Sequence, residues 1–413
     1  MLKSAGKTDF WFVILSSAVY FFSNPQPQFF YDYTFKIAGR LLQGSIGLTE
    51  PPPTWLNEFV PDGGVWYSVF PLGSVLSMLP FALLQSAGVI SAMPSGFLAA
   101  ALAGGTAFFL LKIAENYPLA AEHKYFYSAA ILFGTFAWTN LTFGGAWQIA
   151  LGFALFGQSA AIYYSIFRRR PFLAGCYFAL AFGNRTEVVL LAPIFLYFLT
   201  RNDTEESSQA ISFSDGLCSI ARRMRKSYKI LAAFCIVPFL LGVSTLAYNF
   251  VRFESVLDFG YARIPGVLSE PWYNYGIFSI KYIPRQVYEM LFKPWEFRQS
   301  FPLPVPNGFS SSILISSPFL LLIFRRGAMC RKRKTAAFIA ISAITFILWM
   351  HGNSGGWQFG YRYWIDCLPW AFLIILESAR PQLSRFEKSL IAYSIAINLY
   401  ATWLFHWSDI LRR

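Results

Sequence analysis

Residues 23–73 contain the sequence SNPQPQFFYDYTFKIAGRLLQGSIGLTEPPPTWLNEFVPDGGVWYSVFPLG, a long polar interruption in the first third of an otherwise apolar chain. The interruption follows an apolar segment at residues 10–22 and places Asp32 a few residues beyond it. In residues 33–43, apolar side chains fall on one helical face, and Lys36 and Arg40 fall on another. This spacing predicts a short amphipathic helix on a membrane surface, with Asp32 as a reactive carboxylate at that surface.

The composition of the chain sets its class. Of 413 residues, 55% are hydrophobic, 19% aromatic and only 13% charged, and the mean hydropathy is +0.44. These values indicate a polytopic helical membrane protein. The net charge is +13, and the main basic clusters lie between apolar segments, at residues 168–170, 222–229 and 325–334. The positive-inside rule explains this placement more economically than nucleic-acid binding does, so no nucleic-acid partner is expected.

About twenty apolar residues make one membrane span, and on this basis the sequence predicts an all-α polytopic membrane protein with roughly ten to twelve transmembrane helices. Residues 1–413 form a single transmembrane domain in this interpretation. The first segment is expected to stay as an uncleaved span, because no clear small-residue cleavage site follows it. The predicted segments lie near residues 10–23, 71–92, 96–114, 125–142, 145–166, 171–183, 187–200, 229–249, 311–324, 335–350, 363–377 and 389–407.

The basic clusters also predict the side of the membrane on which each connection lies. Two long connections, residues 24–70 and 250–310, fall on the external side, and each carries a membrane-surface helix, expected in the second at residues 280–292. The main cytoplasmic loop is residues 200–228. The shorter external connections are residues 184–186 and 351–362, and the shorter cytoplasmic ones are residues 168–170, 325–334 and 378–388.

The number of segments near the middle of the chain conflicts with this topology. Four apolar segments between residues 71 and 167 would carry the triple arginine at residues 168–170 to the external side. One of them is therefore re-entrant, split or a surface helix. The candidates are the glycine-rich break at residues 140–147 and the short segments at residues 171–183 and 187–200, and the sequence does not decide among them.

Charged residues near the apolar segments are the candidates for chemistry, because a charge at the bilayer centre costs about 2.5–3.5 kcal/mol on insertion scales and faces a cavity or a partner. Asp32 is either the N-cap of the helix that follows it or a general base that takes a proton from a hydroxyl or amine. Arg185 and Glu187 form either an ion pair at the end of a span or a pair in which the guanidinium binds an anion and the carboxylate orients it.

Arg362 follows a glycine-rich turn in the sequence GNSGGWQFGYRYWIDCLPW. It is either a snorkelling residue within an aromatic belt or a ligand for a phosphate, whose oxygens a guanidinium can bind in pairs. Aromatic residues of the outer loops, such as Tyr261, are candidates to stack on sugar rings. The other charged candidates are Asp62, Arg252, Asp258 and Arg263 on the outer side and Asp366 within a span.

Several familiar sites are missing from the sequence. It contains no Walker A motif, no dinucleotide fingerprint and no HExxH motif. Its three histidines are too dispersed for an obvious metal site, and its five cysteines show no paired spacing. ATP-driven transport, zinc hydrolysis and a disulfide framework are therefore not expected, and no residue is assigned as a metal ligand.

Segments in order along most of the chain resemble landmarks of a known superfamily. YDYTFKIAGRLLQG, with its acidic residue after the first span, and DGGVWYSVFPLGSVLSMLPF resemble the first external loop of the membrane-embedded GT-C glycosyltransferases. That superfamily includes protein O-mannosyltransferases and lipid A aminoarabinose transferases. NRTEVVLLAP, YNFVRFESVLDFGY and GGWQFGYRYWIDCLPW look like later landmarks of its bacterial members.

The resemblance implies transfer of a sugar from a polyprenyl-phosphate donor to a lipid, glycan or protein acceptor, with inversion at the anomeric carbon. The reaction is expected at the external face of a bacterial cytoplasmic membrane. The role of general base carries over to Asp32. The departing lipid phosphate needs cations. The candidates for that role are Arg362 first, then Arg185, Arg252 and Arg263.

This chain departs from many members of the superfamily at the first motif. Those members have an acidic pair there, whereas Tyr33 follows Asp32. Dependence on a divalent cation therefore stays open, with Asp62 as the candidate second carboxylate. The alternative function is a transporter or flippase for a glycolipid, in which the same arginines select a phosphate headgroup. The long external loops favour the enzyme, because paired gates and inverted repeats are not visible in the sequence.

Overall fold

The computed structural model describes residues 2–201, 227–298 and 301–411. Within them the chain is mostly helical, which confirms the predicted helical class. Nearly all of the predicted cytoplasmic loop at residues 200–228 lies outside the described residues. The α-helices are α1 Leu2–Phe22, α2 Tyr33–Leu42, α3 Leu72–Ser86, α4 Ser95–Ala114, α5 Ala121–Phe133, α6 Ala137–Phe143, α7 Ala146–Ile162, α8 Pro171–Asn184, α9 Ala192–Thr200, α10 Tyr228–Phe253, α11 Ile283–Val287, α12 Ile313–Ser316, α13 Arg331–Met350, α14 Leu368–Glu377 and α15 Arg385–His406.

Among the described residues, four helical segments are long and apolar enough to cross a membrane. One of them is α10, of which only 11% of the apolar window is buried inside the protein. Its exposed side chains include Phe239 and Leu240, a composition typical of a helix that contacts lipid. The larger number of spans remains a prediction. The four segments are Ser95–Ala114, Ala146–Phe167, Tyr228–Phe253 and Arg331–Met350.

Some predicted segments are interrupted in the structure. The segment expected at residues 125–142 is divided into α5 and α6, and the glycine-rich break at residues 140–147 falls between α6 and α7. Gly144 ends α6 with a φ of 77°, and an added Cβ there would lie 2.7 Å from the Cβ of Ser95. Glycine is therefore required both for the left-handed turn and for the close contact. The segment expected at residues 311–324 is also divided, into α12 and the 3₁₀ helix Pro318–Phe324.

Two small antiparallel hairpins were not predicted. In the first, β1 Phe59–Asp62 pairs with β2 Val65–Ser68, and in the second, β3 Glu296–Arg298 pairs with β4 Phe301–Val305. The turn of the first hairpin is Gly63-Gly64, and both residues have positive φ. A two-residue turn with this backbone matches the twist of a hairpin, so the DGG sequence was a usable signal.

Helix α2 is the amphipathic helix predicted after Asp32, but its apolar face packs on protein. Phe35, Ile37 and Ala38 are at most 2% exposed, and the helix packs against α3. The expectation that this face rests on a membrane surface is therefore wrong. The helix predicted at residues 280–292 is present as the 3₁₀ helix Ile280–Tyr282, α11 and the π-helix Tyr288–Phe292.

The two long loops share one hydrophobic core. Tyr33, Phe35 and Phe59 of the first loop lie in the same buried cluster as Ile264 and Tyr273 of the second. The first turns of α7 belong to it as well, through Ala146 and Ile149. Packing of this kind fixes the loops against each other at one end of the helices, so they can build a common site.

Replacement of Gly73 by alanine should destabilise the protein by about 1–3 kcal/mol, because it would overpack the contact between α3 and α8. An added Cβ on Gly73 would lie 2.4 Å from the Cα of Gly183, and backbone cannot move aside as a flexible side chain can. The thermal unfolding midpoint of the purified protein in detergent measures the effect.

The matched control is Gly39→Ala in α2, where an added Cβ meets nothing within 4 Å. That change should leave the midpoint unchanged or raise it, because alanine is the better helix former. An unchanged midpoint for Gly73→Ala would contradict the close packing of α3 on α8.

Candidate functional site

A cavity of about 1260 Å³ opens at the end of the molecule where the two long loops lie. Its walls come from both loops, from the first turn of α7, from the end of α8, from the end of α13 and from residues 356–363. These segments are far apart in sequence, and the fold brings them together. The size exceeds that of ordinary small-molecule pockets, which are roughly 300–1,000 Å³.

Arg362 is a buried cation in the wall of this cavity. Its exposed fraction is 5%, and its backbone N–H donates to Gln358 Oε1 at 2.9 Å. Its Nε has no hydrogen-bond partner, and no carboxylate in the described part of the chain lies within ion-pair distance of it. A buried guanidinium with free donors is a costly arrangement unless an anion binds there. This position also differs from that of a snorkelling arginine, whose charged group lies in water.

A second guanidinium, that of Arg185, lines the same cavity. It forms an ion pair with Glu187 and donates from Nε to Asp366 Oδ2 at 3.1 Å. Asp366 is fully buried, and its Oδ1 has no hydrogen-bond partner. Arg185 is thus held by two carboxylates, whereas Arg362 has none. The predicted pairing of Arg185 with Glu187 is present, and both residues also face the cavity.

Tyr363 joins the two cations. The Arg185 guanidinium lies 4.8 Å and the Arg362 guanidinium 5.2 Å from the centroid of its ring. Arg362 Nη2 also donates to the Tyr363 hydroxyl at 3.4 Å. Beside them, burial lowers the pKa of His351 to about 4, so this imidazole is neutral near pH 7. Among Arg185, Arg362 and His351, only the two arginines therefore carry positive charge near pH 7.

Glu58 is the carboxylate that the first loop places in the cavity wall. Trp147 Nε1 donates to its Oε2 at 2.6 Å, and the Trp147 ring lies against Tyr31 and Tyr33. Burial raises the pKa of Glu58 to about 7, although the Trp147 hydrogen bond and the charge of Arg362 both act to lower it. A carboxyl group with this pKa can both accept and release a proton near neutral pH.

Asp32, predicted as the general base, does not line the cavity. It occupies the N-cap position of α2, as the N-cap alternative expects, although its side chain makes no capping hydrogen bond. Its Oδ2 lies 3.3 Å from Lys36 Nζ, and its Oδ1 is buried with no partner. Burial raises the pKa of Asp32, against the lowering effect of Lys36. The neighbouring Tyr31 does line the cavity, so Asp32 lies at its border.

The other predicted site residues divide into two groups. Tyr261 lines the cavity, and its hydroxyl accepts from Tyr273 at 3.3 Å. Asp62 is the exposed last residue of β1. Arg252 is buried and donates to the carbonyl of Ser68 and to Asn249, so it ties α10 to β2. Arg263 pairs with Asp258 at 2.7 Å. Asp62, Arg252 and Arg263 therefore lie outside the cavity wall.

One side of the cavity is apolar. It is formed by Val189 and Leu190 of the 3₁₀ helix Thr186–Leu191 and by Ile347 of α13. Val189 and Leu190 are 49% and 46% exposed, so the cavity wall reaches the outer surface there. Because α13 is one of the four apolar helices, this side of the cavity faces the same surroundings as the apolar helix surface.

No sequence pattern indicates Glu58 as a site residue. It lies in the segment TWLNEFV without a neighbouring motif, and only the hairpin and Trp147 place it in the cavity. His351 lies far in sequence from the other two histidines, and only the fold brings it to the cavity wall. Asp366 is a charge within an apolar segment, and it forms an ion pair with Arg185 of the cavity wall.

In the described residues, no group of three or more His, Cys, Asp and Glu side chains is placed to hold a metal ion. A scan against models of protein families, a search of curated proteins and a search of solved structures each find no match for the chain.

Proposed function

We propose that the chain is a membrane glycosyltransferase of the GT-C type. It transfers a sugar from a polyprenyl-phosphate donor to a lipid, glycan or protein acceptor, with inversion, at the external face of a bacterial cytoplasmic membrane. The two long loops then form the external part, and the apolar helices form a polytopic membrane domain. The proposal rests on the sequence resemblance together with the chemistry of the cavity.

The observation that carries the proposal is Arg362. It is buried in the cavity wall without a carboxylate partner in the described chain, and it shares the Tyr363 ring with Arg185. Guanidinium groups bind phosphate oxygens through paired, charge-assisted hydrogen bonds. A phosphate placed there would satisfy the free Nε of Arg362 and offset its charge.

The apolar side of the cavity supports a lipid-linked phosphate. Val189, Leu190 and Ile347 offer a continuous apolar wall from the cavity to the helix surface. A polyprenyl chain on that wall would stay in contact with the bilayer while its phosphate lies at the arginines. A soluble phosphate compound has no apolar chain that would contact this wall.

The chemistry requires a base, a leaving group and charge compensation. A carboxylate removes the proton from the acceptor hydroxyl or amine, whose oxygen or nitrogen then attacks the anomeric carbon. The bond from that carbon to the phosphate oxygen breaks, and its electron pair stays on the departing lipid phosphate, next to Arg362. A base must come within hydrogen-bond reach of the proton it takes, which favours Glu58, in the cavity wall, over Asp32 at its border.

The proposal is tested with the purified chain in detergent, a radiolabelled polyprenyl-phosphate sugar and a membrane extract as the source of acceptors. We expect label to move to a new glycosidic product, with release of free polyprenyl phosphate in equal amount. Donors with different sugars identify the one that is accepted. Failure to consume any polyprenyl-phosphate sugar under these conditions would refute the proposal.

A further inference from the structure

A second, basic pocket lies at the other end of the molecule. It has a volume of about 580 Å³ and is built from residues 325–329 and 377–381. Helix α13 begins beside it at Arg331 and ends at Met350, next to the residues that line the large cavity. A helix of 20 residues is roughly 30 Å long, so the two sites are separated by about the thickness of a bilayer core.

Two cations in this pocket have no partner among the described residues. Arg325 pairs with Glu387 at 2.6 Å, and the Glu377 carboxylate accepts from Tyr117 and Arg333. By contrast, Arg326 and Arg380 are exposed and form no ion pair or hydrogen bond within the described residues. Four more basic residues follow directly at residues 331–334. The pocket thus presents free positive charge, and its own carboxylate is already satisfied.

Large apolar side chains are exposed around the same pocket. Phe324 is 67% exposed, Met329 is 42% exposed and Phe386 is 70% exposed, and each lies within two residues of a cation in sequence. Basic and aromatic residues occur together where a protein meets the headgroup region of a membrane. A soluble anion would bind the cations but would make no contact with the apolar residues.

We infer that this pocket binds the headgroup of an anionic phospholipid. Its phosphate is held by Arg326 and Arg380, and its acyl chains lie along the apolar residues at the rim. The positive-inside rule places this end of the molecule at the cytoplasmic leaflet, where the negative surface potential attracts basic clusters. The inference needs the membrane placement of the chain but not sugar transfer, and the large cavity plays no part in it.

Native mass spectrometry of the protein in non-ionic detergent, titrated with phosphatidylglycerol, tests the inference. The double variant Arg326→Ala/Arg380→Ala should bind the first phosphatidylglycerol about 30-fold more weakly than the wild type, which corresponds to about 2 kcal/mol for two cations. Phosphatidylcholine should bind weakly to both proteins. Neither arginine has a partner in the part of the chain that the structure describes, so an unchanged thermal unfolding midpoint is expected and checks that the variant is folded.

The matched control is Arg40→Ala/Lys281→Ala, which removes the same charge from the opposite end, outside both cavities. It should bind phosphatidylglycerol like the wild type. Equal affinity in the Arg326/Arg380 variant, or an equal loss in the control, would overturn the assignment. Displacement of phosphatidylglycerol by an equimolar amount of inorganic phosphate would show a site for soluble anions and would overturn the lipid assignment.

Discussion

Replacement of Arg362 by alanine should lower the rate of sugar transfer by about 100–1,000-fold, the effect of removing one group that stabilises charge in a transition state. Arg362 is the buried cation whose Nε has no partner, and Arg185 is already occupied by Glu187 and Asp366. Stabilisation of the negative charge on the departing lipid phosphate therefore depends mainly on Arg362. Initial rates of transfer from a radiolabelled polyprenyl-phosphate sugar, normalised to folded protein, measure the effect.

The matched control for this prediction is Arg263→Ala. Arg263 is also an outer-loop arginine, but it pairs with Asp258 away from the cavity wall. Its loss should change the rate by less than about threefold. Arg362→Lys should recover only part of the activity, because an ammonium group cannot bind two phosphate oxygens in a planar fork. Near-normal transfer by the Arg362→Ala variant would remove this residue from the mechanism.

Replacement of Glu58 by glutamine should lower transfer by about 100–10,000-fold, the range of general acid–base catalysis. Glutamine keeps the size of the side chain and an oxygen that can accept from Trp147, so the cavity should keep its shape. Asp32→Asn is the comparison, because Asp32 lies at the cavity border. A larger loss in Asp32→Asn than in Glu58→Gln would return the role of base to Asp32, as the sequence resemblance implies.

The pH dependence distinguishes a base from a purely structural carboxylate. The pKa of Glu58 is raised to about 7, so the group is mostly protonated below that pH and mostly a carboxylate above it. A base works only as the carboxylate. The wild-type rate should therefore fall as the pH drops below 7, and the residual rate of Glu58→Gln should lack that step. A wild-type rate that is constant between pH 5.5 and 8 would contradict the assignment.

The helical class could be predicted from the sequence, because apolar content and segment length decide it. The position of α2 was also predictable, since Phe35, Ile37 and Ala38 recur at helical spacing. The same spacing could not say what covers that face. A bilayer and a protein core both accept apolar side chains, and the second loop, through Ile264 and Tyr273, supplies the core here.

Candidate site residues were predictable only where a charge conflicts with its surroundings. Arg185, Glu187 and Arg362 follow that rule, and the structure brings all three to one cavity. Arg252 follows it as well, but backbone carbonyls satisfy it. Glu58 could not be found in this way, because it lies in a polar loop where a charge is ordinary. Its raised pKa comes from burial by distant elements, which a single sequence does not reveal.

The most direct test of the account separates chemistry from transport. The purified chain is reconstituted in proteoliposomes with a labelled polyprenyl-phosphate sugar in one leaflet only and an acceptor present. Both the glycosidic product and the leaflet of the remaining donor are then measured. The account predicts new product, formed at a rate that Arg362→Ala lowers by about 100–1,000-fold, and no protein-dependent movement of unreacted donor. Movement of the donor to the other leaflet without any new glycosidic bond would contradict it and identify a flippase instead.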